Sequence, residues 1–139
     1  MNPEEYMIKA KRAISSAKIL LDDGDIDGAC NRAYYAMFDA AHAALLAVGD
    51  PVNPANTKTH RGLIGAFGQH LIKPRLLEVD LGRLLNQVEK IRLMADYMGE
   101  EIDLDKGKWA VEKADFLVCE VEVFLLKNSP EFMGLSIDF

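Results

Sequence analysis

Uncharged stretches are short in this sequence: none reaches the roughly 18 residues that a membrane-spanning helix needs. The opening segment MNPEEYMIKAKRA also lacks the apolar core of a secretion signal, so the expectation is a soluble cytoplasmic protein that does not enter a membrane. Cysteine is scarce as well. Cys30 and Cys119 sit in helical apolar patterns without metal-ligand spacing, so both are expected to be reduced core residues, with no disulfide framework. No Glu is followed by His at the three-residue spacing of di-iron bundles, and no Ser or Cys has a convincing triad around it. The expectation is therefore no metal and no cofactor. Sustained period-two alternation is missing too, which removes a sheet.

Basic charge is in short supply overall. The net charge is −6, whereas a protein that binds nucleic acid over its whole surface is usually basic. The distribution is uneven, however. From Lys58 to Arg92 seven Lys and Arg stand against three acids, a local balance of +4 that leaves −10 for the rest. Such a segment can build a basic face for phosphates, although helices also segregate charge for solubility.

What is present is helical periodicity. At 139 residues the chain suits one domain that buries roughly two thirds of its unfolded surface. Asn2, Pro3 and Glu5 make a start signal for a first helix with Met7, Ala10, Ile14, Ala17 and Leu21 as its apolar stripe, and Gly24 is placed to end it. Asp25 or Asp27 caps a second helix to about Val48, with Tyr34, Phe38, Ala41, Leu45 and Val48 as its seam. GDPVNPANTKTH reads as a loop long enough to border a site. A short third helix from about Thr59 to Ile72 stops before Pro74, a fourth spans about Asp80 to Met98 on Leu84, Val88, Ile91, Ala95 and Met98, and Asp103 or Asp105 caps a fifth. That fifth helix has a broad apolar side of Trp109, Phe116 and Val123 together with Ala110, Leu117 and Phe124. The expected fold class is all-α: an up-and-down bundle of about five helices, four long and one short, over residues 1–128, followed by an irregular tail at 129–139.

The stretch NRAYYAMFDAAHAAL, residues 31–45, separates into two seams on a helix. Tyr34, Phe38, Ala41 and Leu45 form an apolar one. Arg32, Tyr35, Asp39 and His42 form a polar one that could hold an anion between guanidinium, phenol and imidazole, or could simply serve interhelical ion pairs.

The strings RAYYAMFDAAHAALL, KTHRGLIGAFGQHLIK and IRLMADYM together resemble a prokaryotic branch of the HEPN superfamily, small helical bundles named for nucleotide binding. The resemblance covers roughly residues 4–127. It implies a bundle that dimerises, is paired with a minimal nucleotidyltransferase as toxin and antitoxin, and binds RNA or a nucleotide. Several HEPN families are metal-independent endoribonucleases whose signature is an arginine followed four to six residues later by a histidine. Such chemistry needs a base with pKa near neutrality and a cation for the developing charge. Here the matching arginine is Arg92, but the run RLMADYM supplies Asp96 and Tyr97 and no histidine. A histidine would have to come from another helix. His60, beside Lys58 and Arg61 at the start of the third helix, is the candidate. The expected site is then Arg92, Tyr97 and His60 for catalysis, with Arg32, Tyr35 and Asp96 for substrate. The alternative is a non-catalytic scaffold that binds a nucleotide or a partner protein.

Overall fold

The computed structural model describes residues 1–49, 59–99 and 101–128. The loop centred on Pro51 and Pro54 and the tail from Ser129 lie outside the described residues. Within them the chain is an all-α bundle of five helices. Four are long: α1 (Pro3–Asp22), α2 (Ile26–Val48), α4 (Val79–Tyr97) and α5 (Leu104–Asn128). The short α3 (His60–Phe67) runs on into a π-helical turn, Gly68–Ile72. Among the described residues no helix is long and apolar enough to cross a membrane.

The start signals act as the sequence implies. Asn2 accepts from the Glu5 amide at 2.8 Å, Asp25 from Gly28 at 2.9 Å, Thr59 from Gly62 at 2.9 Å and Asp103 from Lys106 at 2.8 Å. Each bond satisfies a first-turn N–H that has no partner within its own helix. The stops are equally local. Gly24, at φ +88°, closes α1 while the Asp25 amide reaches back to the Leu20 carbonyl. The same device closes the helical segment after Ile72, before Pro74 as expected: the Leu76 amide reaches back to the Leu71 carbonyl, with Arg75 at φ 62° in the place glycine usually takes.

Helix α2 is the hub and packs on α1, α3, α4 and α5. Its fully buried alanines at 29, 33, 36, 40, 41, 43 and 44, with Ala10, Ala13 and Ala17 of α1 and Ala110 and Ala114 of α5, leave little side chain between the helix axes. Gly107 has the same role at the foot of α5: a β-carbon there would stand 2.6 Å from the Cγ2 methyl of Ile26.

Several expected core positions move. On α4 the expected Val88 and Ile91 are buried, with Leu81, Leu85 and Arg92 beside them, whereas Leu84 and Ala95 are half-buried and Met98, just past the helix, is exposed. On α5 the buried seam is Ala110, Leu117 and Phe124, whereas Phe116 and Val123 are about half exposed: the helix has neighbours on one side. Cys30 is buried and free, and burial pushes its thiol up to about 11. Cys119 is also free but lies on the surface of α5 against Asp115 instead of in the core.

Candidate functional site

Polar groups from three helices meet around one buried tyrosine. Tyr34, on α2, is fully buried, and its ring belongs to the core while its hydroxyl does not. The hydroxyl lies 3.1 Å from Glu89 Oε2 on α4 and 2.8 Å from His60 Nδ1 at the start of α3. A carboxylate can only accept, so the single phenolic hydrogen goes to Glu89 and the hydroxyl oxygen accepts from the His60 Nδ1–H. That chain fixes the tautomer of the imidazole and leaves its lone pair on Nε2. Burial foremost, and then the Arg92 charge, hold the His60 pKa below the ordinary 6.5, with Glu89 pulling the other way. The neutral ring is thereby favoured at neutral pH. Burial, and after it the Glu89 carboxylate, push the Tyr34 phenol far above its usual range, so Tyr34 keeps its proton.

Arg92 lies one turn after Glu89 on α4 and is only 4% exposed. Its guanidinium carbon lies 4.7 Å from the Tyr34 ring centre, 5.7 Å from that of Tyr35 and 5.8 Å from that of Tyr97. Cation–π contacts of this kind contribute roughly 0.5–2 kcal/mol each as desolvation increases. One guanidinium nitrogen reaches Asp96 at 3.4 Å, while Nε is buried without a hydrogen-bond partner. Asp96 is in turn held by Asn31 Nδ2 of α2 at 3.0 Å. Tyr35 and Phe38 complete an aromatic ring system around His60, at 5.7 and 5.0 Å between centres. Tyr35, Phe38 and His60 are half-buried, and Tyr97 is 74% exposed, so the cluster opens on one face of the bundle.

Of the six residues expected from the sequence, the fold brings five together: Arg92, Tyr97, His60, Tyr35 and Asp96. Arg32 goes elsewhere. Its charge is felt by Asp39, along with that of Lys9 on α1, and burial keeps the Asp39 carboxyl above its ordinary pKa. His42, the far end of the same seam, stacks on Tyr6 of α1 with ring centres 4.8 Å apart. The polar seam thus divides between two neighbours, because a stripe spanning ten residues along α2 meets different helices as it climbs. Sequence reading assigned Tyr34 to the apolar seam and did not single out Glu89 or Asn31. A signal was present: Asn31, Tyr34, Tyr35 and Phe38 at i, i+3, i+4 and i+7 face Glu89, Arg92 and Asp96 at i, i+3 and i+7. Among the described residues no group of three His, Cys, Asp or Glu is arranged to hold a metal ion.

The family model of the HEPN domain matches residues 3–124. The chain belongs to the HEPN domain family. It is 38% identical to a UPF0332 protein of Gloeobacter violaceus over 141 aligned positions, which cover 100% of this chain and 98% of that one. A Methanocaldococcus jannaschii protein named "Putative toxin" is 32% identical over 84% of this chain and 78% of its own. A UPF0332 protein of Thermotoga maritima is 31% identical over 76% and 80%. The expected HEPN membership therefore holds, and with it a toxin-like relative.

Proposed function

We propose that this HEPN protein is a toxin-type ribonuclease that cleaves single-stranded RNA without a metal, and that a minimal nucleotidyltransferase is its antitoxin partner. The observation that carries the reading is the pair made by Tyr34: a neutral imidazole oriented by its hydroxyl and a buried guanidinium with an unpartnered Nε–H over its ring. His60 Nε2 takes the proton of a ribose 2′-hydroxyl. The 2′-oxygen then bonds to the adjacent phosphorus and the bond from phosphorus to the 5′-oxygen breaks, with the leaving oxygen protonated from solvent. Products are a 2′,3′-cyclic phosphate and a 5′-hydroxyl end. Arg92 stabilises the charge that builds on the phosphoryl oxygens, where a preoriented donor in a low-dielectric site counts most. Tyr35 and Phe38 offer partly exposed rings on which a flanking base can stack. The missing histidine on α4 is supplied by α3.

A second reading, binding without cleavage, has its own support. One carboxylate, Asp96, already pairs with the guanidinium and a second, Glu89, is bonded to the tyrosine under it, which weakens its pull on phosphate. Incubation of purified protein with single-stranded RNA in EDTA separates the two. Cleavage that leaves cyclic phosphate ends, and that disappears in His60→Ala, supports the enzyme. RNA that is bound but intact supports the binding module. Co-purification with a nucleotidyltransferase encoded beside it tests the partner.

A further inference from the structure

Asp96 occupies a position that helix stability does not explain. It lies in the last turn of α4, where the negative end of the helix dipole disfavours an acid, and it follows its arginine by four residues, the less favourable order for an ion pair along a helix. Yet it is restrained twice, by Arg92 of its own helix and by Asn31 from α2. Arg92 is the buried partner of that pair and Asp96 the accessible one, at the mouth of the cluster. A carboxylate that accepts from a guanidinium nitrogen takes the same place and the same charge as a phosphate oxygen would. The Nε–H, on the other edge of the guanidinium, has no hydrogen-bond partner.

We infer that Asp96 is a displaceable latch: with Asn31 as its keeper it fills the anion position at Nη1 of Arg92, and an incoming phosphodiester must expel it to take that position. This rests on the reading of Arg92 as a phosphate site. The latch makes the empty site tolerant of solvent and selective. A lone small anion gains one ion pair at the cost of another, whereas a strand that also stacks on Tyr35 and Phe38 gains contacts the latch does not replace. Asp96 is thus a specificity-determining residue, opposed to binding, and its removal strengthens what removal of a ligand contact would weaken.

The test compares wild type with Asp96→Asn, which keeps the shape and the Asn31 contact but removes the charge. Glu112→Gln, an exposed carboxylate on α5, controls for net charge. Two probes are titrated: a 2′-O-methyl single-stranded RNA, which cannot be cleaved, followed by fluorescence anisotropy, and inorganic phosphate, followed by the Arg92 Nε–H resonance in NMR. The expected result is about tenfold tighter RNA binding in Asp96→Asn and less than about twofold change in Glu112→Gln. The phosphate-induced resonance shift should also appear at lower phosphate in Asp96→Asn. If RNA binds wild type and binds Asp96→Asn no more tightly, the latch is overturned and the RNA reading stands. If RNA binds neither while phosphate still prefers Asp96→Asn, the latch stands and the RNA reading falls. If neither probe moves the Arg92 signal in either protein, both fall.

Discussion

The two sides of α2 are built on opposite principles. Toward α1 and α5 the helix is alanine-rich and mostly dry: close approach is the device, the buried Asp39 and the His42 ring on Tyr6 are its polar exceptions, and the ion pair of Lys18 with Asp115 at 2.9 Å stays at the surface. Toward α3 and α4 the same helix presents Asn31, Tyr34, Tyr35 and Phe38, and its contacts are hydrogen bonds, tilted and edge-on rings and a buried cation. Burial of apolar surface holds the first side together, roughly 25 cal/mol for each Å² removed from water. The second side keeps an arginine out of water for which full compensation is missing at Nε. Burying charge in that way costs stability, which supports the proposal that the wet side is the functional one.

This contrast can be broken by exchanging the consequences of mutation. Arg92→Ala should lower RNA cleavage by about 100-fold or more, as removal of a transition-state donor does. The far-UV circular dichroism should stay helical, since the dry side is untouched. Arg92→Lys should not restore the rate, because an ammonium cannot present a fork to phosphate. Undiminished cleavage by Arg92→Ala would remove the guanidinium from the mechanism. Leu117→Ala, in the centre of the dry side, should do the reverse. Loss of a fully buried leucine costs about 2–5 kcal/mol, visible as a lower urea midpoint, while the activity of the folded fraction stays that of wild type.

Tyr34→Phe sits on the border and should show both effects, each smaller. The ring stays under Arg92, but His60 loses its acceptor and Glu89 its donor, a cost of about 1–2 kcal/mol. Cleavage should fall because the imidazole is no longer held in one tautomer. The raised phenol pKa adds a signature. Folded Tyr34 remains protonated where an unfolded tyrosine ionises, so stability is full below the ordinary value of 10.0 and is lost as pH rises above it. A urea midpoint that declines equally above pH 10 in wild type and Tyr34→Phe would show that the buried phenol makes no such contribution.

The dry side was legible in the sequence and the wet side only half so, for a physical reason. Helix caps and apolar stripes are set by residues within one or two turns of each other: Asn2 with Glu5, Asp25 with Gly28, Met7 with Ala10 and Ile14. Periodicity reports them directly. The site is assembled from contacts 26, 55 and 65 residues apart in the chain, His60 with Tyr34, Glu89 with Tyr34, Asp96 with Asn31, and no local pattern encodes such distances. His60 could be named because chemistry required an imidazole and few were available. Tyr34 could not, because its ring obeys the apolar stripe and only its hydroxyl departs from it. Phe116 and Val123 failed in the opposite way: their spacing is that of a core seam, but spacing does not say how many neighbours a helix has.

The smallest expected effect, and the one that ties His60 to the wet side most directly, is in pH dependence. An unfolded histidine takes up a proton near 6.5, whereas burial and Arg92 make the folded His60 take it up at lower pH. Between those two values the unfolded chain holds more protons, so the His60 contribution to stability is present above 6.5 and drains away as the solution is acidified through the folded value. On the proposed mechanism the same displacement sets the rate profile. A general base must be neutral in the free enzyme, so the acid limb of kcat/KM should have its midpoint below 6.5. Arg92→Gln removes the repelling charge while leaving a polar side chain, and in that variant the His60 midpoint, followed by the C2–H resonance of the ring, should move up toward 6.5. Glu89→Gln removes the opposing attraction and should move it down. If both substitutions leave the midpoint in place, burial alone sets it and the charges of α4 do not reach His60.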